Sequence, residues 1–148
     1  MVSSKGQSKG CLATFVECKT RFYVAIKMDD RTKDSMFLAI SSLYNTLTSK
    51  LLKTFTVDRG KEFACFEQVE SEFGIPMYFA DAYAAWQRGS NENSNGLLRE
   101  FFPKKTDLAK VTLDKLTEAL VLINNRPRKC LGFKTPFDMF KHEIKKLI

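Results

Sequence analysis

Lys53-Thr-Phe-Thr-Val57-Asp58-Arg-Gly60-Lys-Glu62-Phe63 is the stretch whose reading decides the fold. Residues 53–57 read as a short strand. The strand ends on an acidic residue, turns at a glycine and passes into a helix. That order is the carboxyl edge of an α/β sheet, where functional sites gather. The helix is expected over 62–73, with Phe63, Phe66, Val69 and Phe73 on one face. Gly74 then stops it in the left-handed conformation that a helix end favours.

Working outward, residues 75–79 read as a further strand, with Pro76 suited to an edge or a strand start. Residues 80–90 read as a loop carrying Trp86 and Arg88. A helix is expected from Asn91, a good N-cap, to about Phe101, stopped by Pro103. Glu92 falls in its first turn, where the helix dipole favours an anion. Upstream, 11–17 and 21–27 read as a hairpin of two strands joined by 18–20, apolar enough for burial on both faces. Thr32 caps a helix that runs to about Leu47. Downstream, Thr112 caps a helix ending at Asn124, and residues 125–132 form a basic turn. Thr135 and Pro136 open the last helix as cap and first residue. Residues 1–10 are polar and read as a turn or a frayed end.

The chain of 148 residues fits one domain, 44% hydrophobic and 28% charged. No apolar run approaches the roughly 20 residues of a membrane span. The N-terminus carries no secretory h-region, so a cytoplasmic protein with no membrane partner is expected. Cys11, Cys18, Cys65 and Cys130 form no C-x-x-C pair, and His142 is the sole histidine, which argues against zinc. Cys11, Cys18 and Cys65 read as small buried hydrophobes, and His142 as exposed. The net charge of +7 suits a phosphate-backbone partner.

Asp58 and Glu92 are the acidic pair to weigh, with 33 residues between them. Each sits at the edge of an element and, on this reading, at the same end of the sheet. Carboxylates so placed suit magnesium, which prefers oxygen ligands and keeps water and substrate phosphate in its shell. From spacing alone, two plainer readings stay open: a turn residue for Asp58 and a helix-terminus charge for Glu92. Asn95 and Arg99 follow Glu92 by three and seven residues on one helix face and could touch phosphate. Arg88, Arg126, Arg128 and Lys129 are candidates for DNA-backbone contacts, against the alternative of a solvated charged surface. Trp86 could stack on an unpaired base or pack as a lid.

Three segments carry a resemblance: Thr56-Val-Asp-Arg-Gly-Lys-Glu-Phe-Ala64, Tyr78-Phe-Ala-Asp-Ala-Tyr-Ala-Ala-Trp-Gln-Arg-Gly-Ser-Asn-Glu-Asn-Ser-Asn-Gly-Leu97 and Asn124-Asn-Arg-Pro-Arg-Lys-Cys-Leu-Gly-Phe-Lys-Thr-Pro136. Together they resemble the integrase-core region of bacterial insertion-sequence transposases of the IS-thirty family. The resemblance implies a ribonuclease-H-like fold, a mixed sheet with helices on both faces. It implies DDE transposition with Mg²⁺ or Mn²⁺: cleavage at transposon ends, then attack of the 3′-hydroxyl on target DNA. Asp58 matches the family's second acidic residue and Glu92 its third. The family's first aspartate lies on a strand before the turn that Lys5-Gly-Gln-Ser-Lys-Gly10 resembles, and residues 1–10 hold no acid. The expectation is therefore a core domain over 1–148, shortened at its N-terminus, with the first, central strand largely missing and no helix-turn-helix domain. Such a chain is expected to be inactive alone. The alternative is a non-catalytic remnant that binds DNA or a full-length transposase. A homo-oligomer is a further expected partner.

Overall fold

The computed structural model describes residues 1–81 and 89–147, of which 48 and 49 are described by their backbone alone. The elements are β1 (Val2–Ser3), β2 (Cys11–Val16), β3 (Tyr23–Met28), α1 (Lys33–Leu51), β4 (Phe55–Val57), α2 (Phe66–Phe73), β5 (Met77–Phe79), α3 (Gly89–Phe101), α4 (Leu113–Asn124) and α5 (Pro136–Leu147).

The β2–β3 hairpin is the middle layer. It pairs antiparallel from Cys11↔Met28 to Val16↔Tyr23. Side chains alternate across a strand, so neighbours serve opposite faces. Cys11, Ala13 and Met28 join a cluster with Met36, Ile40 and Leu43 of α1 and Val69 of α2. Leu12, Tyr23 and Ala25 join a second cluster with Leu98 of α3 and Leu116, Ala119 and Ile123 of α4. Burial on both faces is thus observed, and the near-continuous apolar runs are its cause.

β4 and β5 run parallel, Phe55↔Met77 to Val57↔Phe79. The crossover between them is a 3₁₀ turn over Lys61–Cys65 followed by α2, so the helix expected over 62–73 is split. Pro76 precedes β5 and supplies only its carbonyl, which accepts from the Phe55 amide at 3.0 Å. Gly74 ends α2 at φ 65°, ψ 24°, the left-handed stop expected there. The antiparallel sheet β1-β2-β3, with helices on both faces of its hairpin, and the separate parallel pair β4-β5 give the mixed α/β arrangement.

Two readings of the sequence need correcting. Residues 1–10 do turn, the Gln7 amide donating to the Ser4 carbonyl at 3.3 Å, but they are not frayed: Val2 and Ser3 pair with Leu12 and Cys11, and the buried Ser4 hydroxyl donates to the Gly10 carbonyl at 2.6 Å and accepts from the Leu108 amide at 2.9 Å. A polar segment gains order here from partners far along the chain. Cys18 is exposed rather than buried, because it lies in the hairpin turn. Cys11 and Cys65 are buried as expected. No helix among the described residues is long and apolar enough to cross a membrane.

Candidate functional site

Asp58 follows the last residue of β4 and is half-buried. Its Oδ1 accepts from the Gly60 amide at 2.9 Å, an Asx turn that fixes the carboxylate against its own backbone. Beneath the turn lies Glu62, only 2% exposed. Arg31, from the loop before α1, grips it side-on: Nε donates to Oε2 and Nη2 to Oε1, both at 3.1 Å. The hydrogen bonds and then the charge of Glu62 push the Arg31 pKa up, and the nearby Asp58 charge adds to this. Arg31 is thus the cation that both acids feel. The sequence reading missed this pair. The signal was the second acid, four residues after Asp58, on a turn too short to release it to solvent.

Glu92 is exposed in the first turn of α3. The helix begins at Gly89, so Asn91 lies inside it and is not its cap. The Asn91 Oδ1 instead accepts from the Thr14 hydroxyl of β2 at 3.3 Å. Asn95 and Arg99 flank the buried side of α3. The Tyr23 hydroxyl donates to Asn95 Oδ1 at 2.6 Å. Arg99 donates from Nη2 to the Ser3 carbonyl at 2.7 Å, and from Nη1 to the carbonyls of Phe102 and Pro103 at 3.3 Å each. Burial lowers the Arg99 pKa. The sequence reads both residues as phosphate contacts. The structure gives both partners within the fold, because the flank they occupy meets β1 and β3.

The basic turn after α4 is closed by its own backbone. The Arg128 amide donates to the Lys134 carbonyl at 3.0 Å, and the Phe133 amide to the Arg128 carbonyl at 2.8 Å. Arg126 ties the turn to α3 by donating from Nη1 and Nη2 to Glu100 Oε2, at 3.3 and 3.2 Å. Arg128 is half-buried, and burial lowers its pKa. Lys129 is exposed. Arg88 and Trp86 lie outside the described residues. Among those described, no three or more His, Cys, Asp or Glu side chains cluster as a metal site. The donors that Asp58 and Glu92 offer are carboxylate oxygens, the chemistry Mg²⁺ and Mn²⁺ prefer.

No protein-family model matches the chain. It is similar to transposase InsI of insertion element IS30A from Escherichia coli K12, 38% identical over 139 residues, 94% of this chain and 36% of that protein. It is 33% identical to the transposase of IS1086 from Cupriavidus metallidurans, over 89% of this chain and 39% of that protein. A putative integrase of Spiroplasma virus SpV1-R8A2 B is 30% identical over 92% of the chain. The chain therefore spans well under half the length of these relatives. Among solved structures, the catalytic core domain of BIV integrase superposes with a TM-score of 0.70 at 19% identity, over 97% of this chain and all of that one. The HTLV-2 integrase catalytic core domain, in complex with magnesium, gives 0.66 at 20% identity over 90% of this chain and 86% of that one. These two fix the fold as the ribonuclease-H-like one of integrase cores. Relatedness in sequence and likeness in fold agree: over 94% of its length the chain is a relative of the IS30-family insertion-sequence transposases.

Proposed function

We propose that Asp58 and Glu92 are two metal-holding carboxylates of a DDE-type transposase core that acts on DNA. The observation that carries this reading is Asp58 itself. It stands at the carboxyl end of a parallel strand, held by an Asx turn over the buried Glu62, which the exposed Arg31 grips. A surface turn residue needs no such support. Glu92 enters from the first turn of α3, where the helix dipole favours its charge.

A divalent cation held there would stabilise charge on the attacking and leaving oxygens of a phosphodiester. The chain's own residues orient and bind. The Asx turn limits the rotation of Asp58. The 24 basic side chains, against 17 acidic, draw the DNA in. Arg126, Arg128 and Lys129, with Arg88, would contact its backbone and set register without reading sequence. Transposon ends and target DNA are the substrates the family implies. Assembly into oligomers fits solved relatives described as dimeric, trimeric and intasome forms.

Manganese titration calorimetry on the wild type, Asp58→Asn and Glu92→Gln tests the assignment. Each substitution is expected to weaken the metal at least tenfold while leaving the thermal midpoint in place. If neither changes metal affinity, the site is wrongly assigned. A second reading, DNA binding without cleavage, draws on the lack of a third acid grouped with the pair among the described residues. Nicking of supercoiled plasmid with Mg²⁺, abolished by Asp58→Asn, would exclude that second reading.

A further inference from the structure

We propose that Arg128, in the basic turn after α4, seats one DNA backbone phosphate. The inference rests on the DNA-binding reading above and gives it a specific contact. Nε and Nη2 of Arg128 are buried and have no hydrogen-bond partner among the described residues. These two nitrogens form one edge of the guanidinium, the edge that takes a bidentate oxyanion. The same edge of Arg31 holds both oxygens of Glu62 in this protein. Arg128 therefore presents a complete oxyanion fork that no described residue fills.

The fold offers this fork no acid. Between Glu118 and Asp138 the sequence holds none. Glu100, the acid tied to this turn, is taken by Arg126. Burial weighs most on Arg128; the groups whose charge bears on it are the Cys130 thiol and then two of its own sign, Arg126 and Arg21. A buried donor without a partner is costly, and a charged one more so. One anion would answer the empty edge and the like-charge crowding together.

The surroundings say which anion. The backbone bonds between Arg128 and residues 133–134 fix where the fork stands. Arg21 sits in the left-handed conformation at φ 62° and donates from Nη1 to the Ser90 hydroxyl. Ser90 is in the first turn of α3, two residues before Glu92. Through the Arg126–Glu100 pair the seat is joined to α3, the element that carries the proposed metal ligand. A phosphodiester has two non-bridging oxygens on one phosphorus, a match for the fork, and a chain of net charge +7 is attractive to DNA.

Two measurements test this on the full chain. The first is fluorescence anisotropy with a short labelled duplex across a salt series. Arg128→Ala should flatten the slope of log affinity against log salt by about one and weaken binding several-fold, alike for unrelated duplex sequences. Arg128→Lys should keep the slope and lose affinity, because a point charge cannot fork. The second is the thermal midpoint with inorganic phosphate against chloride at equal ionic strength. Phosphate should raise the wild-type midpoint and leave that of Arg128→Ala unmoved. Without phosphate, Arg128→Ala should melt no lower than the wild type, since it removes two buried donors that have no partner among the described residues. An unchanged salt slope, or a phosphate effect that survives Arg128→Ala, overturns the proposal. So does a lower midpoint for Arg128→Ala without phosphate. If the wild type binds no duplex, the DNA reading falls, and the phosphate measurement alone decides the seat.

Discussion

Gly60 shows how one residue can be read for its neighbour rather than its own backbone. Its φ of −64° suits any amino acid. What forbids a side chain is Glu62: a Cβ on Gly60 would lie 2.6 Å from the Glu62 carboxyl carbon and Oε2. Gly60→Ala should therefore cost about 1–3 kcal/mol by overpacking. The cost should fall below about 1 kcal/mol when Glu62→Ala is also present, since the carboxylate that clashes is gone. Glu62→Ala itself leaves Arg31 able to hydrate, because that side chain is 61% exposed. The opposite change, Arg31→Ala, strands a buried carboxylate and should be the more damaging of the two. Urea unfolding of the two single variants at Gly60 and Glu62 and their double gives the cycle. Strict additivity would mean that the carboxylate does not lie under Gly60. The turn at Asp58 was legible in the sequence because strand, acid and glycine turn are local. Its support was not, because Arg31 comes from 27 residues upstream of Asp58.

At the scale of elements, what was legible is what local chemistry sets. Thr32, Thr112 and Thr135 each accept at their helix starts, from the amides of Ser35, Lys115 and Asp138. A threonine hydroxyl reaches its own third residue wherever the chain folds. The start of α3 was misread at Asn91 because the partner of Asn91 is Thr14, on a strand 77 residues away. For Asn95 and Arg99 spacing gives only the helix face they share with Glu92, and β1 and Tyr23 decide what covers it. The turn after α4 carries a testable strain. Phe133 holds φ 64° and is 71% exposed, so its ring contributes little burial to offset the left-handed backbone. Phe133→Gly should raise stability by about 0.5–1 kcal/mol. Phe133→Ala should not, since a Cβ keeps the penalty. Equal gains for both in urea unfolding would place the cost in the ring rather than in the backbone.

The molecule as a whole is organised by one hairpin with an apolar cluster on each face, and its response to alkali should show that. Cys11 and Cys65 lie in the cluster under α1 and α2, and Tyr23 in the cluster under α3 and α4. Burial pushes all three pKa values up, because each charged form is penalised away from water. The sign follows. Unfolded thiols and phenols ionise at about 8.5 and 10, and the folded groups ionise higher. Below the unfolded values the stability they add is fully present; as pH rises through the folded values it is lost. The urea midpoint should therefore stay level from pH 7 to 8 and fall from about pH 9 upward. Cys11→Ala should remove part of the early fall, and Tyr23→Phe part of the later one. Tyr23→Phe should also lower the plateau, because Asn95 Oδ1 loses the hydroxyl that donates to it at 2.6 Å. The two clusters share strands β2 and β3, so ionisation on one face should loosen the other, and fluorescence and circular dichroism should report a single transition at every pH. A midpoint that holds level past pH 10 would contradict the burial of these side chains, and with it the hairpin's place between the two helical layers.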